Sequence, residues 1–172
     1  MTTPSIKAIF FSLSALLFMV SFSGILIANP IDDLKKVGEA KLKVLFWDIF
    51  NSSLYSENGE YQVDQFPQAL KINYLRDVDS EDLIVRTQNE WEKLGIKKEI
   101  FSPWITLLSN IYPDIIKGDT LSFIVKEDQQ SDFYLNGKKI GIISDQTFGK
   151  NFLRIWLDEN CSYPNLRKKL IG

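Results

Sequence analysis

Asp132-Phe133-Tyr134-Leu135-Asn136-Gly137-Lys138-Lys139-Ile140-Gly141-Ile142-Ile143 is the stretch that decides the fold class. Asn-Gly between apolar runs accepts the positive φ angles of a tight turn, so 132–135 and 140–143 are predicted to fold back on each other as an antiparallel hairpin. Upstream, 120–126 reads as another strand, joined to the hairpin by the polar connection 127–131. Downstream, Asp145 is placed to cap a helix whose inward positions are Phe148, Phe152, Ile155 and Trp156. After Pro164 a short final helix puts Leu166 and Leu170 on one side and Arg167, Lys168 and Lys169 on the other.

Before the hairpin lie two helical patterns. Asp79 or Ser80 caps the first, with Leu83, Thr87, Trp91 and Leu94 facing inward and Gly95 ending it. The second is predicted to start at Ser102-Pro103, to carry Trp104, Leu107, Leu108 and Ile111 on one stripe, and to stop before Pro113. It should lie beside the first. Before these, Leu70, Ile72 and Tyr74 alternate with Lys71 and Asn73 as a half-buried strand. From Val37 to Phe50 the period-two pattern and the apolar run Leu45-Phe46-Trp47 fit two strands or one long bent strand. Asn51-Ser52-Ser53 and 56–59 carry turn residues. Strands, a helical pair, a hairpin and helices again predict an α+β domain: a large antiparallel sheet covered on one face by helices, not a parallel βαβ array.

The chain has 172 residues, 20 basic and 22 acidic side chains and a net charge of −2, which is room for one ordinary domain. With 45% hydrophobic residues it can bury a core, and with no long basic run it is not expected to bind nucleic acid. It contains no histidine, which removes Ser-His-Asp and Cys-His nucleophiles and His-ligated zinc. The single cysteine, Cys161, excludes an internal disulfide and a CxxC site; it is either buried or free to pair between chains. Neither a phosphate-cradling glycine loop nor a GxSxG elbow occurs. Asp77, Asp79, Glu81 and Asp82 fail as a calcium loop, because position six is Asp82 rather than glycine and position twelve is Gln88 rather than glutamate. No metal or cofactor is expected.

Residues 1–28 read as a targeting segment: one charge, Lys7, then 21 uncharged positions from Ala8 to Ala28. Cleavage after Ala28 is the expectation, with an uncleaved single-span anchor as the alternative. Removal of 1–28 takes away Lys7 alone among the charges and leaves 19 basic against 22 acidic side chains, net −3, on a domain at 29–172. The expected location is periplasmic or secreted, with the membrane touched only through the N-terminal segment if it is retained.

The one constellation with chemical content is Arg86 with Glu90, one helical turn apart and on the flank of the buried stripe. Such a pair is either a solvated i,i+4 ion pair or, at the rim of a cleft, a guanidinium fork placed to receive a carboxylate or phenolate. Trp47, Tyr74, Trp91, Trp104 and Phe123 could line the cleft or simply fill the core.

Val37-Gly38-Glu39-Ala40, Phe46-Trp47-Asp48-Ile49-Phe50 with Leu54-Tyr55, Tyr74-Leu75-Arg76-Asp77, Trp91-Glu92-Lys93-Leu94-Gly95, Tyr112-Pro113-Asp114 with Lys117-Gly118-Asp119, Phe133-Tyr134-Leu135-Asn136-Gly137 with Gly141, Ile155-Trp156-Leu157 and Leu170-Ile171-Gly172 follow one another in the order of a known family. Together they resemble the bacterial, exported branch of the chalcone isomerase-like family, over essentially the whole chain after residue 28. The resemblance implies an open-faced β-sandwich, a large antiparallel sheet under a layer of helices.

The plant isomerases close a flavanone ring with an early-strand arginine, a threonine, a tyrosine and an asparagine. Matching their Trp-x-x-Leu-Gly pattern to Trp91–Gly95 puts Asp79 at the tyrosine position and Arg86 at the asparagine position. No arginine precedes Arg76, only Lys41 or Lys43 could stand in for the missing one, and Trp47 lies near the threonine position. The resemblance therefore implies a protein without the isomerase set. Fatty-acid-binding members also use the early-strand arginine, so a different donor such as Arg86 would serve.

The resulting expectation is a non-catalytic exported protein that holds a fatty acid or similar amphipathic carboxylate, with Arg86, Glu90, Tyr74, Trp47 and Trp91 as ligand-binding residues. The alternative is an isomerase or intramolecular lyase in which Arg86 stabilises an oxyanion and Tyr74 or Tyr55 handles a proton. A structural role in an envelope complex is a third reading, its sign an exposed apolar patch.

Overall fold

The computed structural model describes residues 31–172, so the expected targeting segment lies outside the described residues. Strands β1 (Lys35–Val44), β2 (Trp47–Ser56), β3 (Gln68–Tyr74), β4 (Thr120–Val125), β5 (Ser131–Leu135) and β6 (Lys138–Ile143) form one six-stranded sheet. Each pairs antiparallel with the next in sequence. Helices α1 (Ser80–Lys93) and α2 (Lys98–Ser109) are inserted between β3 and β4, and α3 (Phe148–Leu157) and α4 (Pro164–Leu170) follow β6. This is the α+β architecture expected, with Asn136-Gly137 turning β5 into β6 at positive φ.

Period two sorts the sheet's two faces. Leu42, Phe50, Leu54, Leu70, Ile72, Tyr74, Leu121, Phe123, Val125 and Phe133 point into the main core beneath the helices. The outer face carries Lys71 and Asn73, and the segment just before β1 covers part of it, packing Ile31 and Leu34 on Ala69, Ile124 and Tyr134. Asp132 is fully buried on that face and receives Lys126 Nζ at 2.9 Å and Lys139 Nζ at 2.6 Å, both on Oδ2. Burial pushes its carboxyl pKa up, but the two ammonium groups outweigh this and hold it below the ordinary range.

An aromatic stack joins helices to sheet. Trp91 of α1 stacks on Phe101 of α2 at 5.9 Å and meets Trp104 edge-on at 5.3 Å. Phe148 and Phe152 of α3 close the stack onto Phe123 and Phe133. Asp145 accepts from Thr147 N and Oγ1 at the start of α3 and from Trp104 Nε1 at 2.8 Å, so one carboxylate ties α3 to α2.

Three local expectations are corrected. Asn51–Ser53 belong to β2: Ser52 points inward between Phe50 and Leu54, and its Oγ donates to Ala40 O at 3.1 Å. The second helix begins at Lys98 rather than at Ser102-Pro103, because buried Phe101 draws the preceding turn into the helix. Pro103 then lacks the N–H that would reach the carbonyl of exposed Glu99, which water can satisfy. Asp79 sits at the N-cap of α1, but Asp114 supplies the capping carboxylate, accepting from Ser80 N and Oγ, both at 2.8 Å.

Gly38 shows how closely α4 lies on β1. A Cβ there would sit 2.3 Å from Lys169 O and 2.7 Å from Leu170 O, both backbone atoms. Gly38→Ala is therefore expected to lower unfolding free energy by about 1–3 kcal/mol, read as a fall in the urea midpoint at unchanged m-value.

Candidate functional site

Between the sheet and the helices lies a cavity of about 500 Å³. Its sheet wall is Leu42, Phe50, Ile72, Tyr74 and Leu121; α3 adds Phe152, Ile155 and Trp156 opposite. The third wall is α1, whose inner face at this point is not apolar: Leu83 is followed by Thr87 and Glu90 before Trp91 restores the core. Buried polar groups on a core-facing helix are costly unless bonded. Thr87 Oγ1 donates to Leu83 O at 2.8 Å and lies 3.4 Å from Tyr112 Oη.

Glu90 is 5% exposed. It is held by Arg86 Nη2 at 3.0 Å and by a short hydrogen bond from Ser162 Oγ, which in turn receives Lys93 Nζ at 2.9 Å. Arg86, whose side chain is 55% exposed, donates through the same Nη2 to Tyr163 Oη and lies 5.4 Å above that ring. The guanidinium has five N–H donors, and no described residue accepts from its Nε or Nη1. The mouth of the cavity thus presents a fixed guanidinium with unused donors. Inside, burial holds the Tyr74 and Tyr112 phenols far above the ordinary range, and both stay protonated at neutral pH. Tyr74 Oη makes no hydrogen bond to a described residue, and Trp156 Nε1 is buried without a partner.

Of the five residues singled out from sequence, Arg86, Glu90 and Tyr74 line this cavity together. Trp91 does not: it is fully buried in the aromatic stack, donating Nε1 to Asn151 O at 2.9 Å. Trp47 does not either; it is 60% exposed at the β1–β2 turn, under the guanidinium of Arg76. Trp104 and Phe123 are core, Tyr55 is on the outer face of the sheet and Cys161 is a buried free thiol. Tyr163 and Thr87 also line the cavity and Ser162 braces Glu90, and none of the three was singled out as a site residue from sequence. Thr87 carried the helical-period signal of the inner stripe, whereas Ser162 and Tyr163 have no local signal, since they come back to α1 from over 70 residues away.

Comparison with known proteins uses the whole of this framework. A family model described as chalcone isomerase-like matches residues 32–172. The chain belongs to the chalcone isomerase-like family. It is similar to an uncharacterized protein of Haemophilus influenzae, 25% identical over 145 residues, covering 84% of this chain and 71% of that protein. Among solved structures it is similar to a fatty-acid binding protein of Arabidopsis thaliana, with a TM-score of 0.61 at 12% identity, covering 81% of this chain and 87% of that one. That likeness establishes the fold. Asp79 lies ahead of the first turn of α1 and Arg86 at the cavity mouth.

Proposed function

We propose that this chalcone isomerase-like protein is a binding protein for a fatty acid or similar amphipathic carboxylate, exported from the cytoplasm and without catalytic activity. The observation that carries the reading is the pairing of an apolar cavity of about 500 Å³ with unused Arg86 N–H donors at its mouth. An acyl chain would lie along Ile72, Leu121, Phe152 and Ile155, and its carboxylate would take Arg86 Nη1. Glu90 and Tyr163 hold Nη2, so the guanidinium is preorganised before the ligand arrives. Tyr74 Oη offers a second donor inside the cavity.

The contact between Arg86 and Tyr163 is the one feature that favours the isomerase or lyase reading, since it sets a phenol beside an oxyanion donor. Against it, the chain has no histidine, and burial raises the pKa of the Tyr74 and Tyr112 phenols so that neither serves as a base near neutrality. Export is supported by Lys7 followed by the uncharged run 8–28.

The test is displacement of a dansyl-labelled fatty acid from wild type and from Ile72→Trp, which fills the cavity from its sheet wall. Loss of at least about tenfold in affinity with the thermal midpoint kept is the expected result, about 1.4 kcal/mol or more. Equal affinity in the two proteins would remove the cavity from the account.

A further inference from the structure

The two hairpins of the sheet turn differently. β5 and β6 are joined by Asn136-Gly137, residues suited to positive φ. β1 and β2 are joined by Leu45-Phe46, and Leu45 takes a φ of 55°, a conformation that Asn or Gly adopts with less strain. Leu45 is 86% and Phe46 97% exposed, and Trp47 beside them is 60% exposed. Folding gains little from the Leu45 and Phe46 side chains, and solvent would be better met by polar ones. A backbone outlier and three exposed large apolar groups coincide on one turn, which is where a functional reason is to be sought.

Basic groups surround the tip. Lys41 and Lys43 reach Asp48 at 2.9 and 3.1 Å, and the Arg76 guanidinium lies 4.7 Å over the Trp47 ring, with Lys117 in the same shallow groove. Four basic side chains stand against two acidic ones there, Asp48 and Asp77, on a chain whose net charge is negative. Apolar and indole side chains at an apex with lysine and arginine one level below are what the boundary between acyl chains and anionic headgroups selects. Val44, the last residue of β1, also lines the cavity, so the tip adjoins its mouth.

We propose that the Leu45-Phe46-Trp47 turn docks the protein on an anionic lipid bilayer. The three side chains enter the acyl region, while Lys41, Lys43, Arg76 and Lys117 meet headgroup phosphates. Docking goes beyond the ligand reading and is measurable whether or not the cavity is loaded. β1 carries the tip about 30 Å from Lys35, its own first residue, in nine steps of about 3.3 Å each.

The experiment mixes the full chain with vesicles of equimolar phosphatidylcholine and phosphatidylglycerol and reads Trp47 as the difference between the emission of wild type and of Trp47→Phe. The Trp47 component is expected to shift blue and to be quenched by lipids brominated in the upper acyl chain. The double change Leu45→Asp and Phe46→Asp, at two nearly fully exposed positions, should abolish both signals without moving the thermal midpoint. Replacing phosphatidylglycerol by phosphatidylcholine should weaken the response about tenfold or more. A Trp47 component that vesicles leave unchanged overturns the proposal. A shift that follows protein concentration without lipid overturns it in favour of a second copy of the chain, and a shift produced only by added envelope protein overturns it in favour of a protein partner.

Discussion

Trp91→Ala is expected to destabilise the protein by about 3–5 kcal/mol, enough to remove a large part of the 5–15 kcal/mol typical of a domain. Trp91 is fully buried and is the ring on which α1, α2 and α3 converge, against Phe101, Trp104, Phe148 and Phe152. Truncation would open a void that these rings cannot close by small shifts, since Trp104, Phe148 and Phe152 are each also held by another ring of the stack. It would also leave Asn151 O without the donor it receives from Nε1. Equilibrium denaturation in urea reads the effect directly. A loss below about 1 kcal/mol would mean that the stack does not hold the helices to the sheet.

Arg86 and Glu90 are expected to change ligand binding in opposite directions. Glu90 neutralises Arg86 in the unliganded protein and competes with an arriving carboxylate for the same guanidinium. Glu90→Gln keeps the acceptor for Ser162 and removes the competing charge, so affinity for a long-chain carboxylate should rise about tenfold while that for the corresponding alcohol stays level. Arg86→Gln should lower carboxylate affinity by about tenfold or more. Because that change alone strands a buried carboxylate, it should also cost stability, whereas Arg86→Gln with Glu90→Gln should recover stability and still bind weakly. Titration of both ligands into the four proteins closes the cycle. Equal affinities for acid and alcohol throughout would mean that Arg86 is not where the head group sits.

The order of the sheet was legible because its signals are local. Asn136-Gly137, the alternation of Leu70, Ile72 and Tyr74, and the stripes of α1 and α3 each specify an element without help from distant residues. The start of α2 was not legible, because what extends it to Lys98 is Phe101 packing on Trp91, a contact between helices. The same division runs through the site. Arg86 and Glu90 meet by helical spacing alone, and Tyr74 points inward by strand parity, so all three could be placed together. Trp47 and Trp91 were grouped with them on aromaticity, which does not tell a core ring from a cavity wall or an exposed turn. Ser162 and Tyr163 complete the mouth only because α4 folds back over β1, where Gly38 admits it.

Native mass spectrometry of the protein purified without detergent, followed by solvent extraction, measures the central claim most directly. The account predicts one acyl-chain carboxylate per chain in the wild type, absent from Ile72→Trp and retained in Glu90→Gln. A bare polypeptide mass in all three proteins, with no acyl species in the extract, would contradict it.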